Sequence, residues 1–265
     1  MSMKTTIAPH WEDILVANGY PDFHSLWEAQ AEWVEEPNDR RGGWSGVGTL
    51  TLQLDNGETK TLYIKRQQNH VFKSLCHPFK GQPTFRREID NIKRFKAAAL
   101  PTLTPVYYGE RRVNGNQQAI LITEALTEYT SLQDFIDNNS ASDIDSSLRH
   151  SIIDNVALVV RQLHQQGLRH GCLYPKHIFI KITDKTNIDV RFIDLEKARQ
   201  WPLRFQRSVR DLCNLHRYSQ WWTSPDDRQR FLTKYLGTET LNAYGKKLSR
   251  QINKRTARKL AKKRQ

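Results

Sequence analysis

The segment from Ser147 to Asp194 constrains this chain more than any other part of it. Leu148, Ile152, Val156, Val159, Val160 and Leu163 recur at intervals of three and four, the spacing of one helix face, and Gly167 stands where such a helix would stop. A loop with His170 and Pro175 follows, then two strand-like runs, HIFIKI and DVRFIDL. The second run carries Phe192 and Ile193 directly into Asp194. Its apolar lead-in predicts a buried strand that presents a carboxylate at its end.

Upstream, the hydrophobic period changes from helical to alternating. Residues 1–40 read as a helical extension, with Leu26, Trp27, Ala31 and Val34 near one face and Trp33 beside them. Gly42, Gly43, Gly46 and Gly48 precede TLTLQL, the turn DNGE and TLYIKRQ, a predicted β-hairpin. FRREIDNIKRF sets Phe85, Ile89, Ile92 and Phe95 close to a helical stripe, starting after Pro83 and Thr84. Residues 105–126 predict two strands joined at Asn114-Gly115; SLQDFIDNN then predicts a short helix, and 205–265 is mostly helical. Strands first and helices later, with a connection near 123–131, predict an α+β chain of two lobes. The expected divisions are a helical extension 1–40, a β-rich lobe with one helix 41–126, a helical lobe 127–245 and a basic tail 246–265.

Composition removes several classes. A chain of 265 residues with 26 aromatic side chains should bury roughly 75% of its unfolded surface without a covalent or metal staple. No apolar run reaches the ~18 to 20 residues of a membrane span, and the first residues lack a signal-peptide core. Cys76, Cys172 and Cys213 follow no disulfide or zinc spacing. A reduced, cytoplasmic protein is expected. The net charge of +13 is local: residues 246–265 hold ten Lys or Arg and no acid, which leaves +3 for the other 245 residues. The charge therefore concerns what the tail touches.

The loop at 170–177 and the strand end at 194 match a motif pair. His170, Leu173 and His177 align with the His, Leu and Asn of the protein-kinase catalytic loop H-R-D-L-x-x-x-N, and Asp194 with the metal-binding Asp of D-F-G. Leu195 and Glu196 replace the Phe and Gly. Upstream, Lys65 in LYIK takes the place of the strand lysine, on one strand face with Tyr63. Glu88, on the following helix, takes that of its glutamate partner, with Asp90 as a neighbouring alternative. Asp211 fits the aspartate that braces the catalytic loop from a later helix.

RRGGWSGV, YIKRQ, HGCLYPKHIFI and FIDLEKAR together resemble the bacterial lipopolysaccharide kinases of Kdo and heptose type, closest to the weak-acid-inducible (InaA-type) branch. The resemblance runs from about Asp39 to Tyr218. It implies a protein-kinase-like fold, ATP with Mg²⁺ as cofactors, and a sugar hydroxyl on a lipopolysaccharide precursor as acceptor.

Phosphoryl transfer needs charge neutralisation and positioning more than covalent chemistry. Lys65 would hold the α- and β-phosphates, pinned by Glu88; the plain alternative is a surface lysine and a solvated acid. Asp194 would ligate Mg²⁺, or it is an ordinary turn aspartate. His177 at the Asn position is a second candidate metal ligand and suits Mn²⁺ better than Mg²⁺, or it is structural. His170 is a loop brace before it is a proton carrier. Gly43, Gly46 and Gly48 would cover the phosphates, or they make a turn. Backbone around Glu124 to Leu126 would face adenine, where Tyr63 either stacks on the base or narrows its slot.

Cys172 is the central departure, because it stands where the loop normally carries its catalytic Asp; Gly171 and Tyr174 likewise replace Arg and Lys. A thiol is a poor substitute for a carboxylate, and losing a general base costs about 10² to 10⁴ in rate. A slow kinase is expected. The first alternative is a pseudokinase-type nucleotide-binding sensor or scaffold, and the second a basic protein that binds anionic surfaces on a kinase frame. The tail, with Leu248, Ile252 and Leu260 at multiples of four, could lie on an anionic membrane surface, on the inner face of the inner membrane. Nucleic acid is disfavoured, since no recognised module is present.

Overall fold

A computed structural model describes residues 4–40, 42–74, 77–140, 144–219 and 223–262. The chain divides into two compact units, one of residues 1–93 and 103–127, the other of 94–102 and 128–265.

The first unit is built on an antiparallel sheet. Its strands are β1 (Lys4–Ile7), β2 (Glu32–Arg40), β3 (Gly43–Gln53), β4 (Thr59–Gln68), β7 (Pro105–Val113) and β8 (Asn116–Glu124), in the order β1-β7-β8-β4-β3-β2. A small hairpin, β5 (Val71–Ser74) and β6 (His77–Pro83), precedes helix α3 (Thr84–Ala97). The β7–β8 turn places Asn114 and Gly115 at φ 49° and 81°, the doubly positive geometry of a two-residue hairpin loop.

Alternation along β4 sorts its side chains onto two faces. Leu62 and Ile64 are buried among Leu50, Leu52, Ile120 and Ile122 and are covered by Trp11, Leu15, Phe23 and Leu26. Those covering residues come from a 3₁₀ turn (Pro9–Trp11) and the helices α1 (Glu12–Ala17) and α2 (Phe23–Glu28). Tyr63, Lys65 and Gln67 point the other way, towards α3. The N-terminal forty residues are thus not the helical extension the apolar spacing predicts. They supply two short helices and two strands of the sheet. Helix α2 stops at Glu28 because Arg66 donates to the carbonyls of Trp27 and Ala29 at 2.7 Å each, satisfying groups that a continuing helix would have bonded. The chain then runs as edge strand β2, and Trp33 and Val34 are exposed.

The second unit is mainly helical. It contains β9 (Thr130–Ser131), α4 (Leu132–Asn138), α5 (Ser146–Gln165), β10 (Leu168–Arg169), β11 (Ile178–Ile182), β12 (Ile188–Phe192), β13 (Arg199–Gln200), α6 (Arg204–Ser219), α7 (Pro225–Leu236) and α8 (Ala243–Ala261). Strands β12, β11 and β9 form one small sheet, β10 and β13 another. Asp145 caps α5 through the Ser147 and Leu148 amides, and Gly167 follows its end at φ 75°. The last turn of α3 is counted in this unit, where the Phe95 ring meets Phe192 edge-on at 6.3 Å.

The basic C-terminal stretch is not a free appendage. As helix α8 it buries Leu248, Ile252 and Thr256, and Thr256 reaches the Cys213 thiol on α6 at 3.6 Å. Leu248 and Ile252 are therefore spent on packing; Lys246, Lys247, Arg250, Lys254 and Arg258 are exposed, while Arg255 and Lys259 are half-buried; 263–265 lie outside the described residues, as does Cys76. Among the described residues no helix is long and apolar enough to cross a membrane.

On α6, His216 sits 3.2 Å from the Thr256 hydroxyl, and burial, aided by Arg228, pushes its pKa down to about 4. Between pH 6.5 and 4 the unfolded chain binds a proton here that the folded chain refuses, so stability falls as pH is lowered through that window. The melting temperature should drop from pH 6.5 to 4.5, and the drop should be smaller in His216→Asn. Equal drops in the two proteins would contradict a neutral, buried imidazole.

Candidate active site

In the first unit, two matched periods bring a lysine and a glutamate together. Gln67 and Lys65 lie two residues apart on one face of β4, ~6.6 Å along the strand. Thr84 and Glu88 lie four apart on α3, ~6 Å along the helix. The Gln67 side-chain oxygen accepts from the Thr84 hydroxyl at 2.7 Å and the Phe85 amide at 3.3 Å, which fixes where α3 begins. One helical turn later, the Lys65 ammonium meets Glu88 at 2.6 Å. Phe85, Ile89, Ile92 and Phe95 are buried, while Asp90 is exposed, which decides between the two neighbouring acids.

The glycines do not form a loop ahead of a strand. Gly43, Gly46 and Gly48 lie inside β3, which pairs with β2 on one side and β4 on the other. A Cβ on Gly46 would come within 2.7 Å of the Trp33 ring, and one on Gly48 within 2.9 Å of the Glu32 carbonyl. The space beside Gly46 and Gly48 is filled by β2, and that beside Gly43 by the backbone of Gln68 to His70. At the predicted hinge, the Glu124 amide donates to the Thr104 carbonyl at 2.9 Å and the Ala125 amide to Thr61 at 3.1 Å, while the Glu124 carboxylate pairs with Lys60 at 3.0 Å. Leu126, half-buried, is where the chain leaves the sheet.

In the second unit, Asp211 organises the loop after α5. Its carboxylate is fully buried and accepts from the His170 amide at 2.7 Å, the Gly171 amide at 3.0 Å and Arg169 Nε at 3.2 Å. His164 Nε2 approaches the same carboxylate at 3.2 Å, and its other ring nitrogen meets the Tyr235 hydroxyl at 2.7 Å. Burial opposes the charge, but His164 and Arg169 hold Asp211 below the usual carboxylate range. Gly171 is obligatory: at φ 86°, a Cβ would stand 2.6 Å from the Lys197 carbonyl.

The titratable residues of this loop differ in what they can do. His170 is sealed from solvent, and burial lowers its pKa to about 4, so it is a neutral brace. Its ring stacks on His177 at 6.2 Å and 12°. Cys172 is nearly buried, and burial raises its thiol pKa although the Lys197 ammonium beside it favours the thiolate. His177 Nδ1 donates to the Cys172 carbonyl at 2.8 Å and lies 3.4 Å from Asp194 Oδ2. A carbonyl can only accept, so the proton is on Nδ1. Asp194 adopts φ 54° and ψ 59°, a left-handed conformation that costs a non-glycine residue about 1–3 kcal/mol and that clusters at ligand sites. About a third of its side chain is exposed.

The Asp194 carboxylate fits Mg²⁺, which is usually held by one or two carboxylates with phosphate oxygens and water, while the imidazole beside it suits Mn²⁺ better. No group of three or more His, Cys, Asp or Glu among the described residues could hold a metal on its own. Sequence reasoning missed His164 and Lys197. Neither carries a periodic or motif signal; each is placed by contacts distant in sequence.

The lipopolysaccharide kinase (Kdo/WaaP) family model matches residues 24–235. Protein InaA of Escherichia coli K12 is 34% identical over 204 residues, 77% of this chain and 90% of that protein. A lipopolysaccharide core heptose(I) kinase WaaP of Escherichia coli is 29% identical over 222 residues, 80% of this chain and 76% of its own. Among solved structures, WaaP in complex with acyl carrier protein superposes with a TM-score of 0.68 at 19% identity, covering 96% of this chain and 98% of that one. The fold is thus protein-kinase-like, and with the sequence match across most of its length the chain belongs to the lipopolysaccharide kinase (Kdo/WaaP) family.

Proposed function

We propose that this protein is an ATP- and Mg²⁺-dependent phosphotransferase that acts on a sugar hydroxyl of a lipopolysaccharide precursor, with a slow proton-transfer step. The observation that carries this reading is the Lys65–Glu88 pair, a cation held at 2.6 Å by a carboxylate only 4% exposed. A buried pair of this kind is weak evidence for stability and makes more sense as a positioned charge. In this reading ATP and its metal ion supply the phosphoryl group and neutralise its charge. Lys65 binds the α- and β-phosphates, Asp194 holds the ion with His177 as a second candidate ligand, Mn²⁺ being an alternative to Mg²⁺, and Asp211 fixes the backbone of the loop that would face the acceptor. The roles given to Lys65 and Asp194 rest on family membership and motif order.

Cys172 supports a second reading, a nucleotide-binding sensor or scaffold without turnover. Its thiol is held neutral by burial and cannot take a proton as a carboxylate does. Lys197, beside it, offers a cation where Tyr174 replaces the usual lysine. The same burial argues against a redox-sensing thiol. For the third reading, an anionic membrane surface, support comes only from the outward charges of α8, because the apolar stripe is packed inward.

Mg²⁺-ATP should raise the melting temperature of the wild type by several degrees but not that of Lys65→Ala or Asp194→Ala. No shift at millimolar ATP would contradict both nucleotide readings. Cys172→Asp should raise ATP turnover by at least ~10-fold, a part of the loss assigned to the missing base; a flat response would leave the sensor reading. Iodoacetamide should alkylate Cys172 at pH 8 at least ~10-fold more slowly than a free cysteine thiol. Equal rates, read by peptide mass spectrometry, would show that the thiol is neither buried nor raised.

A further inference from the structure

The second unit carries a group of like charges that the phosphotransfer reading does not use. Strands β10 and β13 set Arg169 directly opposite Arg199 in an antiparallel pair, an arrangement that destabilises a sheet. Next in the chain, Trp201 extends the ladder by donating its amide to the Gly167 carbonyl at 2.9 Å. Three guanidinium groups gather at its indole: Arg169 at 5.4 Å from a ring centroid, and Arg199 and Arg210 at 5.1 Å each. Cation–π attraction holds each one but does nothing to cancel their mutual repulsion.

Helices α6 and α8 add to the same charge. Lys259 donates to Asn214 at 2.6 Å, and Asn214 lies one turn beyond Arg210 on α6. Arg255 lies one turn before Lys259 on α8. Burial first, then Arg169, Arg255 and Arg199, hold Arg210 below its ordinary value. Lys259 is lowered likewise, by burial and then by Arg217, Arg255 and Arg169 against the opposing pull of Cys213.

Counter-charge is scarce. Among the described residues, the one carboxylate within ion-pair distance of any of these five cations is Asp211, on Arg169 at 3.2 Å, and it is already shared with His164 and two loop amides. The buried Trp201 indole N–H and Arg255 Nε find no hydrogen-bond partner among the described residues. Repelling cations with spare donors around an aromatic face lose stability in the free protein and regain it when a compact polyanion arrives.

We propose that Arg169, Arg199, Arg210, Arg255 and Lys259, arranged around Trp201, form a binding site for a phosphate or pyrophosphate group on a phosphorylated ligand. The site is distinct from the Asp194 carboxylate and stands whether or not the protein transfers phosphate. Guanidinium forks match the oxygens of a phosphate ester, and the indole supplies a flat wall for whatever carries it. Arg169 immediately precedes His170 and shares Asp211 with it, so occupancy would be felt by the loop.

The test is a titration of inorganic pyrophosphate into the full chain without metal, at fixed ionic strength. The Trp201 signal is isolated by subtracting the emission of Trp201→Phe. A saturable change is expected. Arg199→Gln/Arg210→Gln should weaken it by about 10-fold or more, while the free variant melts at or above the wild-type temperature because repulsion is relieved. Should that pair fail to fold, Arg199→Gln alone, at an exposed position, should weaken binding in the same direction. The charge-matched control Lys246→Gln/Arg250→Gln, on the exposed face of α8, should bind as the wild type does. No saturable Trp201 response, or equal weakening in both double variants, would overturn the site. Vesicles of phosphatidic acid in phosphatidylcholine separate the sources. Vesicle binding lost with Arg199 and Arg210 supports the site with a lipid headgroup as its ligand. Pyrophosphate binding without a preference for phosphatidic acid supports it with a soluble phosphorylated compound.

Discussion

The ion pair between Lys65 and Glu88 depends on the start of α3. A strand advances ~6.6 Å in two residues and a helix ~6 Å in four. Once Gln67 fixes Thr84 and Phe85, Glu88 has little choice but to arrive at Lys65. The sheet contributes from its other side. Leu62 and Ile64 are buried beneath α1 and α2, which leaves the face bearing Lys65 and Gln67 to α3.

The second unit solves a comparable problem with one carboxylate. Asp211 receives two consecutive backbone amides, a guanidinium and an imidazole. Cys172 therefore sits on a braced loop, beside Lys197 and close to Asp194. The loop keeps its scaffold and the Asp194 carboxylate and carries a thiol, its pKa raised by burial, at Cys172. That combination fits slow transfer or retained binding better than loss of the whole apparatus. The Arg169–Arg199 pairing adds a second anion-seeking feature to the same strand-and-loop region.

Motifs were legible wherever the chain carries a period or a fixed spacing. The hairpin at 49–65, the stripe of α3, the long helix ended near Gly167 and the strand into Asp194 all have local signatures, and the structure forms each of them. Long-range events left no such trace. Leu26, Trp27, Ala31 and Val34 satisfy a helical period, yet Arg66, about forty residues away, captures the carbonyls that would have continued the helix. The spacing of Gly43, Gly46 and Gly48 says that something approaches closely; only the structure identifies it as the Gln68–His70 backbone at Gly43, Trp33 at Gly46 and Glu32 at Gly48. The stripe at Leu248 and Ile252 likewise reads as amphipathic, while its partner α6 is invisible in that segment. His164, Lys197 and Trp201 acquire significance only from side chains that folding brings to them.

The proposal that carries the account is that the chain binds Mg²⁺-ATP and that Lys65 and Asp194 each contribute to the affinity. Calorimetric Mg²⁺-ATP affinities for wild type, Lys65→Ala and Asp194→Asn test it most directly. Each single change should weaken affinity by about 10-fold or more. Wild-type affinity in either variant would contradict it.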